Sequence, residues 1–440
     1  MSKPEERPAA HNPMRRVLGN FGLLVRGRGI GALMALAATA LMARALGPVE
    51  FGLVILIHTY VMLIRGLLNF KQFLAIVRYG VPPLDAGDTR TLQRLISICR
   101  RVDRYTCITA TVLALILAPL IGPRMGMDQD HVILLTAYCL VLLTTGNRTD
   151  TGILRLFDQF DILGRQMTIG PIIRFFGVVI AWWLGSPFPV YVAIMAFSYG
   201  AENVYLSWCG RREFRRHIGD APEDEKSGDA SMAEFSGLRH FLWITYWQSN
   251  VDLIPKHGSI MLAGYLLGPA DAGLLRLARQ FSTMLSKPAG MIRQVLFPDL
   301  TRSWIQGSSD FKLVVYRTAL LAGGLGLFFV SAGYFFGGAL LGALIGQEFV
   351  AAAPVLTLLL LASTFDLTAS SLRSAAYAIG HAGKVLRLYI VSAIIYVTLF
   401  IVLTLQVGLI GAGLAACAAA LLRPLTMAVI ISKSMRSRTI

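Results

Sequence analysis

Apolar positions in this chain come in long unbroken blocks. Twelve such blocks lie at approximately 29–45, 51–70, 105–122, 132–146, 167–184, 190–208, 241–263, 272–297, 314–336, 349–370, 389–405 and 409–432. Runs of roughly 17–25 apolar residues are what a helix needs to cross a hydrocarbon core about 30 Å thick. A transmembrane β-barrel would instead alternate apolar and polar residues over short segments. The pattern predicts an all-α polytopic membrane protein with about twelve transmembrane helices.

Polar segments divide these blocks into an N-terminal segment (1–28), an N-lobe (29–208), a linker (209–240), a C-lobe (241–432) and a tail (433–440). The linker, "GRREFRRHIGDAPEDEKSGDASMAEF", has the composition of a solvated connection. Its place at mid-chain predicts an internal repeat of two six-helix lobes. "LGPVEFGL" at 46–53 matches "LGPADAGL" at 267–274, five of eight identical and 221 residues apart. Each copy falls between the first and second spans of its half. A weaker echo pairs Leu154-Arg155 and Gly164-Arg165 with Leu372-Arg373 and Gly383-Lys384. The alternative source of the LGP match is a shared tight turn, since Pro and Gly both favour turns.

Composition agrees with the pattern. Of 440 residues, 55% are hydrophobic and 15% charged, with a mean hydropathy of +0.61; a soluble domain is nearer a quarter charged. A net charge of +16 is compatible with a nucleic-acid partner, but its placement argues otherwise. Of 41 Lys and Arg, 30 fall in alternate connections (1–28, 71–104, 147–166, 209–240, 298–313, 371–388, 433–440). The other connections hold only Arg124. This asymmetry follows the positive-inside rule and places both termini in the cytoplasm. Five scattered cysteines have neither metal-ligand nor disulfide-framework spacing. Ala43-Arg44-Ala45 has the outline of a signal-peptide cleavage site, but the apolar stretch is too long, so the first span is read as uncleaved.

Four stretches, "MARALGPVEFGLVIL", "LLGPADAGLLRLARQFSTML", "IGQEFVAAAPVLTLLLLAS" and "LIGAGLAACAA", resemble the polysaccharide and oligosaccharide flippases of the multidrug/oligosaccharidyl-lipid/polysaccharide exporter superfamily. The resemblance covers nearly the whole chain. It implies two six-helix lobes around a central cavity lined by spans one, two, seven and eight. It also implies a polyprenyl-pyrophosphate-linked glycan as cargo, moved across the bacterial inner membrane for O-antigen, capsule or exopolysaccharide assembly. This chain departs from the family in span seven, where an Asp usually precedes the loop Gly. Here that place reads "KHGSIMLAGYLLG", and Asp252 lies further back.

Ten cations lie inside the apolar blocks, where each costs about 2.5–3.5 kcal/mol at mid-membrane on insertion scales. Span eight holds four: Arg276, Arg279, Lys287 and Arg293. On a helix, Arg276, Arg279, Thr283 and Lys287 fall at roughly 0°, −60°, −20° and 20°, one stripe without an acid. Such a stripe suits a polyanion such as pyrophosphate. The alternative is that Arg276 and Arg293 snorkel to opposite interfaces, and Arg293 is assigned to the inner one. Span two offers His58, Arg65 and Asn69 on one face, at roughly 0°, −20° and 20°, and Arg44 stands at the end of span one. Asp252 and Lys256, four apart beside Pro255 and Gly258, form either an ion pair at a helix break or a coupling group. Asp366 in span ten is a further candidate for ion coupling or gating. Arg174 and Arg423 have no partner visible in the sequence.

The leading expectation is thus a transporter, not an enzyme: a lipid-linked oligosaccharide flippase working without cofactor. The alternatives are a multidrug-type exporter, whose cationic substrates would call for acids, and a membrane polymerase or glycosyltransferase, which needs carboxylates on sizeable outer loops. No Walker motif is present to drive transport by ATP directly. The expected partners are the glycan-lipid, membrane lipids, and polysaccharide polymerase or export machinery; nucleic acid is not among them. Topology reporters fused after residues 125, 187 and 344 should read outside, and those after 85, 225 and 380 inside. An inside signal at 187 would remove the twelve-span arrangement.

Overall fold

The computed structural model describes residues 13–219, 234–251, 253–283, 310–379 and 381–436. These residues are helical nearly throughout, with no strand among them. The helices are α1 (Pro13–Leu67), α2 (Gln72–Asp85), α3 (Thr89–Ile121), α4 (Gln129–Cys139), α5 (Arg148–Leu156), α6 (Phe160–Trp183) and α7 (Phe188–Ile218). Next come α8 (Leu238–Val251), a π turn (Ile254–Gly258), α9 (Ser259–Leu267) and α10 (269–283). The chain closes with α11 (Asp310–Leu344), α12 (Ala353–Ala378), α13 (Ala382–Val407) and α14 (Leu409–Arg436).

Eight helical stretches of the described residues are long and apolar enough to cross a membrane. The first, Gly29–Leu67, has 39 residues. At 1.5 Å per residue that length is about twice a hydrocarbon core. It is in fact two arms, because the path breaks at Gly47. Lys287, Arg293, Asp252, residues 1–12 and most of the linker lie outside the described residues.

Helices run further into the polar connections than composition foretold. Residues 71–104 and 147–166 form α2, the start of α3, α5 and the start of α6. The basic block of the linker continues α7 as far as Gly219 (φ 85°), whose N–H donates to the Arg215 carbonyl. Arg215, Arg216 and His217 occupy that last turn, where positive charge complements the helix dipole. Asp88 accepts from the Thr91 N–H (3.0 Å) and the Thr91 hydroxyl (2.6 Å) at the start of α3. These bonds hold its carboxyl below the usual carboxylate range. A change from apolar to polar residues marks where the membrane ends, not where the helix does.

By packing the chain forms two compact units. One comprises Met1–Thr39, Leu68–Leu115 and Tyr138–Trp247; the other Ala40–Leu67, Ile116–Ala137 and Gln248–Ile440. Within the first, the helices in the polar connections share a core of Ile76, Leu95, Cys99, Ile153, Phe214 and Leu242. Within the second, α12 and α14 pack together, with α11 against α12 and α13 against α14. Small polar residues join helices there. The Ser282 hydroxyl of α10 donates to the Leu359 carbonyl (2.9 Å), and Ser392 of α13 to Ala419 of α14 (3.0 Å). This is the expected glue in lipid, where apolar burial gives no drive for association.

The two LGP copies share one backbone conformation. Gly47 has φ 71° and ψ 174°, and Gly268 has φ 97° and ψ 178°. This region is essentially restricted to glycine. The copies also meet within the second unit. A Cβ on Gly52 would strike the Pro269 carbonyl, and one on Gly273 would come 3.1 Å from the Gly52 Cα. At the weaker echo, Leu154 and Leu372 are both buried and Arg155 and Arg373 lie over Phe73 and Tyr389, whereas Gly164 is buried and Gly383 exposed. Gly47→Ala and Gly268→Ala should each cost about 1–3 kcal/mol. The measurement is the Tm of the protein purified in detergent, and an unchanged Tm in both would overturn this account of the turns.

Candidate functional site

The site grows from an interruption. Pro255 and Gly258 mark the expected break in span seven, and the chain there makes a single π turn, Ile254–Gly258, between α8 and α9. Lys256 is exposed and His257 half-buried. Arg279 of α10 closes on this turn. Its Nη1 donates to the Lys256 carbonyl (3.1 Å) and the Ser259 hydroxyl (2.6 Å), and its Nη2 to the Tyr396 hydroxyl of α13 (3.1 Å). One guanidinium therefore ties three elements together.

Among the described residues, the charges acting at this point have one sign. Lys256, Arg276 and Arg279 all act on His257, and His257 Nδ1 is buried without a hydrogen-bond partner among the described residues. An orphaned buried nitrogen among three cations is a place where an anion would be stabilised. His257, Ser259 and Tyr396 were not foreseen. The first had a weak signal, adjacency to Lys256 at the break. Tyr396 had none, being 117 residues from Arg279.

The other expected residues distribute as follows. Arg276 is half-buried in the register predicted for the stripe, and Thr283 is exposed with its hydroxyl donating to the Gln280 carbonyl (3.1 Å). His58 and Arg65 are half-buried on one face of the second arm of α1. Leu56 packs over Gly264 of α9, and helical register turns His58 and Arg65 roughly 180–200° away from it. Asn69 does not continue that face, because α1 ends at Leu67. Phe70 leaves the helix to stack on Tyr246 (centroids 4.6 Å) and Trp243 (6.0 Å). Arg44 is exposed, three residues before Gly47.

Asp366 is engaged. Arg423 Nη1 lies 2.6 Å from its carboxylate, while Arg423 Nε donates to Ser392 (3.0 Å) and the guanidinium covers the Tyr389 ring. The pair answers the question of Arg423's partner, which no local spacing could reveal across 57 residues. Arg174 likewise donates to Ser198 of α7 (3.4 Å), close to a Gln166–Glu202 hydrogen bond (2.6 Å).

This architecture is the fold of the multidrug/oligosaccharidyl-lipid/polysaccharide exporter superfamily. It matches a structure described as lipid II flippase MurJ in an inward closed conformation, with a TM-score of 0.71 over 93% of this chain and 87% of that one at 13% identity. An inward-facing multidrug resistance MATE family transporter gives a TM-score of 0.70 over 92% and 96% at 16% identity. Residues 17–304 match the polysaccharide biosynthesis protein family, and with well over half of its length matched the chain belongs to that family. A curated relative, inner membrane protein YghQ of Escherichia coli (strain K12), is 26% identical over 351 residues, 78% of this chain and 96% of the relative. The protein is thus a multi-pass membrane protein of the polysaccharide biosynthesis protein family.

The Asp366–Arg423 pair gives a direct test of the packing of α12 on α14. Arg423→Met and Asp366→Asn should each lower the Tm, and a double-mutant cycle should return a coupling of about 0.6–1.7 kcal/mol. A coupling of zero would make the contact incidental.

Proposed function

We propose that the protein is a flippase that translocates a polyprenyl-pyrophosphate-linked oligosaccharide across the bacterial inner membrane. The observation that carries this reading is the cationic cluster at the π turn: Lys256, His257, Arg276 and Arg279, with a buried imidazole nitrogen lacking a partner among the described residues. A pyrophosphate diester is a compact anion whose charge and acceptor oxygens complement such a cluster. The three bonds of Arg279 hold the guanidinium in place before substrate arrives, which reduces the ordering cost of binding. Lys287, one turn beyond Thr283 in the predicted register, extends the positive stripe.

Family membership supports polysaccharide biosynthesis as the context. The structural likeness to a protein described as a lipid II flippase supports a lipid-linked cargo. Both termini lie in the cytoplasm in this proposal. The chain has twelve spans arranged as a 6+6 repeat, and transport proceeds by alternating access of the central cavity. His58, Arg65 and Arg44 contribute to the same cavity from the first half of the repeat. Asp252, Lys256 and Asp366 are the groups proposed for coupling or gating, with Asp366 acting through its bond to Arg423. A multidrug exporter fits less well, because a cluster of cations repels the cationic compounds such proteins move.

The test is export of surface polysaccharide in cells carrying single variants. Arg279→Ala and Lys287→Ala should abolish export while protein level and membrane insertion stay normal. Insertion should become easier, since each change deletes a cost of about 2.5 kcal/mol. Arg279→Lys should keep part of the function, because charge survives while the planar fork does not. Arg293→Ala should be mild. Well-expressed Arg279→Ala and Lys287→Ala proteins with wild-type surface polysaccharide would overturn the cationic mechanism. Loss of the protein itself would assign Arg279 a structural role at the π turn.

A further inference from the structure

A second basic site lies in the first compact unit and includes none of the residues proposed for transport. Arg100 and Arg104 of α3, Arg211 of α7 and Asp150 of α5 line a cavity of about 440 Å³. Its remaining wall is Cys107, Ile108, Leu143 and Gly146. The volume falls in the range of roughly 300–1,000 Å³ typical of ligand pockets. Arg104 and Arg211 are exposed, and Arg100 is partly covered by the Phe214 ring (4.7 Å).

Two polar atoms of this cavity are left unsatisfied. Arg100 Nη2 lies 3.9 Å from Asp150 Oδ1, beyond hydrogen-bond length, and both atoms are buried without a hydrogen-bond partner among the described residues. Asp103 also acts on Arg100, but its Oδ2 is already engaged with the Thr149 N–H (2.7 Å) at the start of α5. Arg211 and Arg215 also act on Arg100. The lining itself holds three arginines against one carboxylate, and the cavity is positive.

Its depth is marked by the sequence of α3 and α7. The charged part of α3 ends at Arg104, and the apolar part begins at once with Tyr105. On α7 the exposed Trp208 sits one turn before Arg212, whose guanidinium lies 5.4 Å from its ring. Exposed Trp beside Arg is the signature of a membrane–water interface. Ile108 and Leu143 of the lining are themselves exposed, and the apolar surface continues through Val112 and Leu140. A cavity with cations at headgroup depth and an apolar wall opening toward hydrocarbon fits a phosphodiester with acyl chains attached.

The geometry points to a structural binding site for one anionic phospholipid, its phosphate held by Arg100, Arg104 and Arg211 and its chains along Ile108 and Leu143. The site is independent of the flippase reading: it uses none of those residues and would stand if the cargo were different. Basic pockets between helices on the cytoplasmic side are a recurrent way to hold anionic headgroups.

The test is native mass spectrometry of the full-length protein, stripped of lipid in detergent and titrated with phosphatidylglycerol, phosphatidylethanolamine of the same chains, or inorganic phosphate. One phosphatidylglycerol should bind in clear preference to phosphatidylethanolamine. In R104Q/R211Q its affinity should fall by about thirtyfold, the effect of two basic residues at a headgroup, and R104K/R211K should retain most of it. If the double glutamine variant fails to fold, the single variants R104Q and R211Q should each lose about fivefold. Equal binding of phosphatidylglycerol by wild type and glutamine variants would overturn the proposal. So would equal affinity for phosphatidylethanolamine, or displacement of the lipid by inorganic phosphate, which would make this a soluble-anion site.

Discussion

A bilayer offers the backbone no water, so an interrupted spanning helix must have its polar groups taken up by protein. In this chain that condition is met by Arg279, which donates from Nη1 to the Lys256 carbonyl inside the π turn. The same guanidinium reaches Ser259 and Tyr396, so the interruption, α10 and α13 are held through one side chain. A cation inside an apolar helix is expensive, and here its cost is offset by bonds that make the break in span seven tolerable. The break in turn brings Lys256 and His257 to the same place. The interruption and the proposed anion site therefore share one contact.

A second condition operates at the LGP turns. Helices in lipid associate through close packing and polar contacts, because hydrocarbon on both sides removes the hydrophobic drive. Gly52 and Gly273 let the backbones of the two copies approach to a distance that any side chain would block. Gly47 and Gly268 supply the backbone conformation that starts each second arm. Repetition of the octapeptide thus has a physical reason beyond ancestry: both copies serve the same turn and the same close contact.

The two basic sites differ in the role of their counter-charges. Around His257 the acting charges are all positive among the described residues, so a bound anion would be the dominant partner. Around Arg100 two carboxylates are already present, and the net excess of cations is small. Arg423 and Asp366 represent a third case, a cation and an acid matched one to one between α14 and α12.

Much of this was legible in the sequence because membrane constraints act locally. Length and polarity of the blocks determine that the chain is helical and polytopic, Pro255 and Gly258 mark the interruption, and the octapeptide at 46 and 267 marks the equivalent turns. The stripe of Arg276 and Arg279 followed from helical period alone. Other features depended on contacts between residues distant in the chain. Nothing near Arg423 names Asp366, nothing near Arg279 names Tyr396, and Asn69 left the face of His58 because Phe70 stacks on α8. Composition reports only that the polar connections meet solvent, whereas the helices α2 and α5 within them are built by a shared core around Ile76 and Ile153. Local periodicity settles which residues form helices and which share a face; only tertiary packing decides which faces meet, because the partner's position is not encoded within either segment.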